Sequence, residues 1–187
     1  MLTLALHTCC APCSAAVIEW LMANGIRPVL FYCNPNIFPE VEYQIRRQEC
    51  SRYALSLGLE VVDGDASHDL WLERIKGLED EPERGLRCRE CFRMRLLATA
   101  DLAAARGIKS FATTLAASRQ KNLDHINEAG HWAAAQYPGL SFYEKNWRKG
   151  GLSERRRELL RTHGFYNQQY CGCEFSLRKR TDAQKDY

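Results

Sequence analysis

Five short apolar runs alternate with longer helical segments along this 187-residue chain, and that alternation constrains its fold more than any other feature. The runs lie at 2–6, 27–33, 59–62, 109–114 and 140–143. Between them, helices are expected from a Ser14 N-cap to Asn24, from Pro39 to Gly58, and from a Ser67 cap through Leu70, Trp71 and Ile75. Further helices are expected from Arg87 to Arg106, from Lys121 to Gln136, and from Ser153 to His163. Gly25, Gly58 and Gly107 supply the stops. The order βαβαβααβαβα predicts an α/β fold, an open and mostly parallel sheet with helices on both faces, Rossmann-like. No repeat or long linker divides the chain, so a single domain over residues 1–187 is expected, with a basic C-terminal segment (about 145–180) packed over the cleft. No run approaches the roughly 20 apolar residues of a membrane span. The first seven residues read as a strand rather than a signal peptide, so no membrane partner and a cytoplasmic location are expected.

In an open parallel sheet, ligands bind beyond the carboxyl ends of the strands, where strand order reverses. Cys9 and Cys10 directly follow the first strand, Asn34-Pro35-Asn36 follows the second, and residues 115–118 follow the fourth. Three loops should therefore meet at one cleft.

Nine cysteines are many for a chain of this kind, and seven are grouped: Cys9-Cys10-Ala-Pro-Cys13, Cys88-Arg-Glu-Cys91 and Cys171-Gly-Cys173. An odd count without an export signal argues against a disulfide framework and for metal or redox chemistry. Cys33 and Cys50 stand alone and read as small buried hydrophobes. Cys88 and Cys91, three apart at a helix start and surrounded by Arg84, Arg87, Arg89, Arg93 and Arg95, should both ionise easily. With Cys9 and Cys10 they compose a four-sulfur set, which suits zinc or a [4Fe–4S] cluster. Adjacent cysteines strain a single tetrahedral ion but reach two corners of a cube, which favours the cluster. Thiol chemistry without metal stays open too, because Cys10-Ala-Pro-Cys13 has the form of a C-x-P-C redox motif. A single glycine between Cys171 and Cys173 permits a strained, easily reduced disulfide.

The formal charge of +3 is too small to imply a nucleic-acid partner, but its distribution says more. Seven Lys/Arg against two Glu occupy residues 145–161, and Arg178-Lys179-Arg180 follow. A charge run is usually a solvated face. Basic groups beside cysteines and aromatics shift the reading toward a polyanion, with Arg155 and Arg156 as candidate phosphate contacts. The first loop lacks a glycine-rich phosphate cradle, which argues against ATP use.

Taken together, His7-Thr-Cys-Cys-Ala-Pro-Cys13, Phe31-Tyr-Cys-Asn-Pro-Asn-Ile37, Cys88-Arg-Glu-Cys-Phe92, Thr113-Thr-Leu115 and Tyr166-Asn-Gln-Gln-Tyr-Cys-Gly-Cys173 resemble the cobalamin-independent epoxyqueuosine reductases (QueH type). The resemblance runs from about residue 3 to 178. It implies a fold akin to the adenine-nucleotide hydrolase-like group and reduction of epoxyqueuosine to queuosine at the wobble position of tRNA, with electrons from an unidentified donor. It implies cluster ligation by Cys9, Cys10, Cys88 and Cys91 and a redox-active disulfide between Cys171 and Cys173. Some relatives carry Asp at the place of Cys13, where the residue helps hold an additional iron ion, and whether Cys13 is such a ligand or a catalytic thiol stays open. Ser118-Arg119 departs from the Ser-Pro found in many members. Asn34, Asn36, Tyr166, Gln168 and Gln169 would contact the substrate, His7 would shuttle a proton or sit in the core, and Trp147, Phe165, Tyr166 and Tyr170 are candidate stacking surfaces. Two rival functions share these features: an ATP-dependent tRNA thiolation or persulfide-transfer enzyme, and a zinc-binding RNA module.

Overall fold

A computed structural model of the protein describes residues 2–64 and 67–177; Arg178, Lys179 and Arg180 of the basic tail lie outside the described residues. Five strands, β1 (Leu2–Thr8), β2 (Ile26–Tyr32), β3 (Val61–Asp63), β4 (Ser110–Thr113) and β5 (Ser141–Phe142), form one sheet in the order β3-β2-β1-β4-β5. Every neighbouring pair is parallel, so the sheet is wholly rather than mostly parallel. Burial explains why β1 lies at its centre: Leu4, Ala5, Leu6 and His7 are all 0% exposed, the pattern of a strand covered on both faces.

Topology assigns the helices to their faces. Right-handed crossovers place α1 (Ala11–Ala23) and α2 (Glu40–Ser56), which carry the chain from β1 outward to β3, on one face. The chain then moves the opposite way across the sheet, so α4 (Leu86–Ala105) and α5 (Leu123–Ala134) cover the other face. The short α3 (His68–Arg74) packs on α4, and α6 (Leu152–Thr162) packs on α1. α5 comes so close to β5 that a Cβ on Gly130 would lie 2.5 Å from the Phe142 ring, so only glycine fits there.

Two helix starts differ from expectation by two residues or more, each for a local reason. α1 begins at Ala11 with Cys10 as N-cap and Pro12 in the first turn, where its fixed φ favours helix. Ser14, expected as the cap, instead donates its hydroxyl to the carbonyl of Cys10 at 2.7 Å from inside the first turn. α5 begins after Asn122 rather than at Lys121, because the Asn122 side chain accepts from the amides of Asp124 and His125.

Candidate metal and redox site

Strand order reverses between β1 and β4, and the site is built where those two strands end. β1 delivers Cys9 and Cys10, and the first turn of α1 turns Cys13 back toward them. The three sulfurs lie within 4.8 Å of one another, with Cys9 and Cys10 3.9 Å apart. All three cysteines are buried. Four-coordinate zinc–sulfur bonds of about 2.3 Å imply sulfur separations of about 3.8 Å, so the group has the geometry to hold a metal ion. The short turn that follows β4 contributes the adjoining wall, because Thr114 Oγ1 lies 3.9 Å from Cys9 Sγ. Thr113 uses its hydroxyl to cap the turn at Leu115 and to meet His7 Nδ1 at 2.9 Å.

The charge is unevenly shared. Hydrogen bonds from the Cys10 and Cys13 thiols, with the fields of Arg95 and Lys121, hold Cys9 well below the usual thiol range. Cys10 is pushed well above it by its hydrogen bonds to the Cys13 and Cys9 sulfurs and by burial. His7 is lowered to about 3 by burial and by Arg95, so the resting ring is neutral. Of its two expected roles, the core histidine is the one the geometry favours.

α4 carries the second cysteine pair one turn apart, together with Arg95 a turn beyond Cys91. Ease of ionisation does not hold for Cys88, which is pushed up to about 12 by burial and by the neighbouring Cys171 and Cys91. The arginines expected to lower it have other partners. Arg89 and Arg93 pair with Glu128, Arg93 also with Glu90, and Arg87 donates to carbonyls at Leu78, Glu79 and Glu81. A bound metal would therefore have to displace the Cys88 proton.

Arg95 is fully buried, and no carboxylate faces it among the described residues. Its guanidinium donates to Asn34 Oδ1 and lies 3.4 Å from His7 Nε2 and 3.9 Å from Cys91 Sγ. Burial disfavours the cation, but the fields of Cys91 and Cys9 more than offset this and keep it charged.

Residues 165–173 bring the third cysteine group to the same rim. Arg46 donates to the carbonyls of Cys171 and Tyr170, Phe38 N–H donates to Gly172 O at 2.8 Å, and the Tyr170 hydroxyl donates to Phe38 O. Gly172 has φ +112, and a Cβ there would come within 2.9 Å of Ile37, so the turn between the two cysteines requires glycine. Both thiols are free. Lys121 donates to Cys171 Sγ at 3.1 Å. Burial alone would raise Cys171, yet the Lys121 ammonium outweighs it and holds the thiol below its ordinary value. Lys121→Met is therefore expected to move the pH profile of Cys171 alkylation to higher pH. Labelling at neutral pH should slow by about tenfold for each pH unit that the profile moves. An unmoved profile in peptide-resolved mass spectrometry would refute that coupling.

Together these residues line a cavity of about 510 Å³ whose walls include Cys9, Cys13, Lys121, Gln168, Cys171 and Arg156. Gln168 lies directly over the sulfurs, its Nε2 donating to Cys10 Sγ at 2.9 Å. Asn34 does not face the cavity mouth; it is fully buried between Thr8 O and Arg95. Both polar atoms of Asn36 are buried without a hydrogen-bond partner among the described residues. Tyr166 points to Glu42, and Trp147 and Phe165 are core residues, with Trp147 Nε1 donating to Thr113 O. Arg155 is held by Glu19 and Glu158, while Arg156 donates to Pro12 O. Arg95, Lys121 and Arg46 escaped assignment from sequence. For Arg95 a signal existed, since it follows Cys91 by four residues and so shares its helix face.

A family model described as epoxyqueuosine reductase QueH matches residues 4–179. Epoxyqueuosine reductase QueH of Histophilus somni is 46% identical over 94% of this chain and 72% of its own length. That of Acinetobacter baylyi is 46% identical over 94% and 80%, and that of Thermotoga maritima 37% identical over 98% and 95%. Among solved structures, a predicted subunit of a tRNA methyltransferase from Methanocaldococcus jannaschii superposes with a TM-score of 0.57 at 12% identity, over 85% of this chain and 74% of its own, which shows the shared α/β fold.

Proposed function

The chain belongs to the epoxyqueuosine reductase QueH family, and from that premise we propose that it reduces epoxyqueuosine to queuosine at the wobble position of tRNA, using a cysteine-held iron–sulfur cluster and the Cys171/Cys173 pair. The observation that carries this reading is the buried Cys9–Cys10–Cys13 group at the switch point, opening onto a cavity that Cys171 also lines. The donor chemistry fits a cluster. Every candidate ligand is a sulfur, and the buried Arg95 supplies a positive charge that only an anionic sulfur site balances. Cys9, Cys10, Cys88 and Cys91 are the proposed ligands of a [4Fe–4S] cluster. Cys9 and Cys10 would come from the buried trio at the end of β1, and Cys88 and Cys91 from the first turns of α4. The third member of that trio, Cys13, is the proposed ligand of an additional iron.

The reaction takes two electrons and two protons, breaks both epoxide C–O bonds, forms a carbon–carbon double bond and releases water. Bound iron would supply electrons and a Lewis acid for the oxygen. The chain's own residues do the rest. A cavity of about 510 Å³ takes one nucleoside rather than a duplex, so the base must leave the anticodon stack before it enters. Lys121, whose ammonium is held charged by Cys171 and Cys9, can hold a proton close to the oxygen's exit path. Cys171, already shifted toward thiolate, is the half of the pair ready to close a disulfide with Cys173 and release two electrons.

Protein purified without oxygen should be brown, carry iron and acid-labile sulfide, and convert epoxyqueuosine in tRNA with a chemical reductant and no ATP. Colourless zinc protein or ATP-dependent turnover would support one of the two rivals instead. Cys171→Ser and Cys173→Ser should each keep iron and tRNA binding yet fail in repeated turnover. Loss of iron would make these residues ligands, and full activity would leave them without a role.

A further inference from the structure

Two of the four arginines of α6 are neutralised within the protein, since Arg155 meets Glu19 and Glu158, and Arg157 meets Glu154. Another set of cations gathers around the loop at 119–121, whose residues line the cavity. Arg84 donates through Nε and Nη2 to the carbonyls of Gln120 and Arg119, and Arg148 donates through Nη2 to the carbonyl of Lys121 at 2.9 Å. Three successive carbonyls thus hold two guanidinium groups beside a third, that of Arg119, which itself lines the cavity. Arg84 reaches this place with φ 72, a left-handed backbone that costs a non-glycine residue about 1 kcal/mol or more.

None of the three forms an ion pair among the described residues, and Arg148 Nε is buried without a partner. Burial and the charges of Arg84 and Arg119 hold Arg148 below its ordinary value, as expected for like charges brought together without an anion. Glu83, the carboxylate among the cavity-lining residues, makes no ion pair with them.

We propose that Arg84, Arg119 and Arg148 form a phosphodiester subsite, which takes an RNA backbone phosphate next to the nucleotide held in the cavity. The proposal rests on the reading of tRNA as substrate and adds where the backbone lies. A phosphodiester presents two unesterified oxygens, and the unused N–H groups of Arg119, of Arg148 and of Arg84 Nη1 match them as paired donors. The subsite also orients the chain, because a phosphate fixed at the 119–121 loop leaves its neighbouring base facing Cys171 and Lys121 across the cavity.

The test is a cycle between protein and RNA. Binding of the iron-loaded protein is measured by fluorescence anisotropy on anticodon stem–loops that carry one neutral methylphosphonate each, at successive phosphates around the wobble nucleotide. The expected result is that one such position costs the wild type about tenfold in affinity, Arg119→Ala and Arg148→Gln each cost a similar factor, and the combinations cost no more. The salt slope should fall by about 0.7 for each lost contact. Arg119 is exposed, so its variant reports without risk to the fold. Losses that add at every phosphate, or variants that bind as the wild type does, would overturn the subsite and leave these arginines as braces of the loop. A wild type that reduces epoxyqueuosine in tRNA but shows no coupling refutes the subsite alone, whereas one that neither binds nor reduces refutes the functional reading with it.

Discussion

Cys88→Ser and Cys91→Ser should each lose most of the bound iron, its acid-labile sulfide and the visible absorbance, and with them substrate conversion. The fall should exceed the roughly 10–100-fold that follows loss of a ligand's supporting partner. The structural reason lies in what a serine leaves at each place, even with Cys171 and Cys173 standing nearby. Cys88 is pushed up to about 12, so only a bound metal makes it a thiolate, and a serine hydroxyl in the same half-buried place ionises far less readily. Cys91 is buried at 6% exposure beside Arg95, where an unliganded serine would face a cation without its anion. Cys50→Ala is the matched control: equally buried at 2% exposure and packed in the core, it should keep its full iron and cost about 1–2 kcal/mol of stability. Because Cys9, Cys10 and Cys13 remain close together in both serine variants, some iron without sulfide is expected there. Full iron, sulfide and colour in both variants would refute this ligation.

Arg95→Met should separate charge from packing. In the apoprotein the fields of Cys91 and Cys9 keep the buried guanidinium charged against its desolvation, and replacing a buried charged group by an apolar side chain of similar length is often neutral or stabilising. Thermal unfolding of apo Arg95→Met is therefore expected at or above the wild-type temperature. In the iron-loaded protein the sign reverses. Removing one positive charge from beside the sulfurs disfavours the added electron by on the order of 2 kcal/mol, taking an effective dielectric of about 20. That corresponds to roughly 30-fold in the reduction equilibrium, read as a more negative midpoint in a spectroscopic redox titration. Arg95→Lys should recover part of the potential, since it keeps the charge but not the contact to Asn34. A midpoint unchanged in Arg95→Met would mean that the guanidinium only fills space.

The fold was legible because its signals are local. Strand runs bounded by glycines, helix caps and the absence of a dividing linker all act within a few residues, and the errors at Ser14 and Lys121 came from local competitors, Pro12 and Asn122. The grouping of cysteines was equally visible. What the sequence could not carry is which partner each charge finds across the fold. Arg155 looked available and is held by Glu19, 136 residues away. Arg95 read as one of five arginines around Cys88 and Cys91 and is buried against Asn34, 61 residues away. Asn34 and Trp147 sit in motif-like or aromatic stretches and are fixed internally. Long-range pairing is decided by topology, and single residues do not announce it.

The clamp made by Arg46 and Phe38 on residues 170–172 has a consequence in time. Its two sides are more than 120 residues apart, so during synthesis the sulfurs of β1, α1 and α4 leave the ribosome well before the segment that covers them. Until then the rim stands open toward the solvent. For the proposed iron site that order offers a loading window, after α4 has packed and before the segment around Gln168 docks, and a protein whose cover has closed should accept iron more slowly than one still being made. Loosening the clamp with Arg46→Ala would speed loading of the finished protein and speed its loss of iron to chelators by the same route.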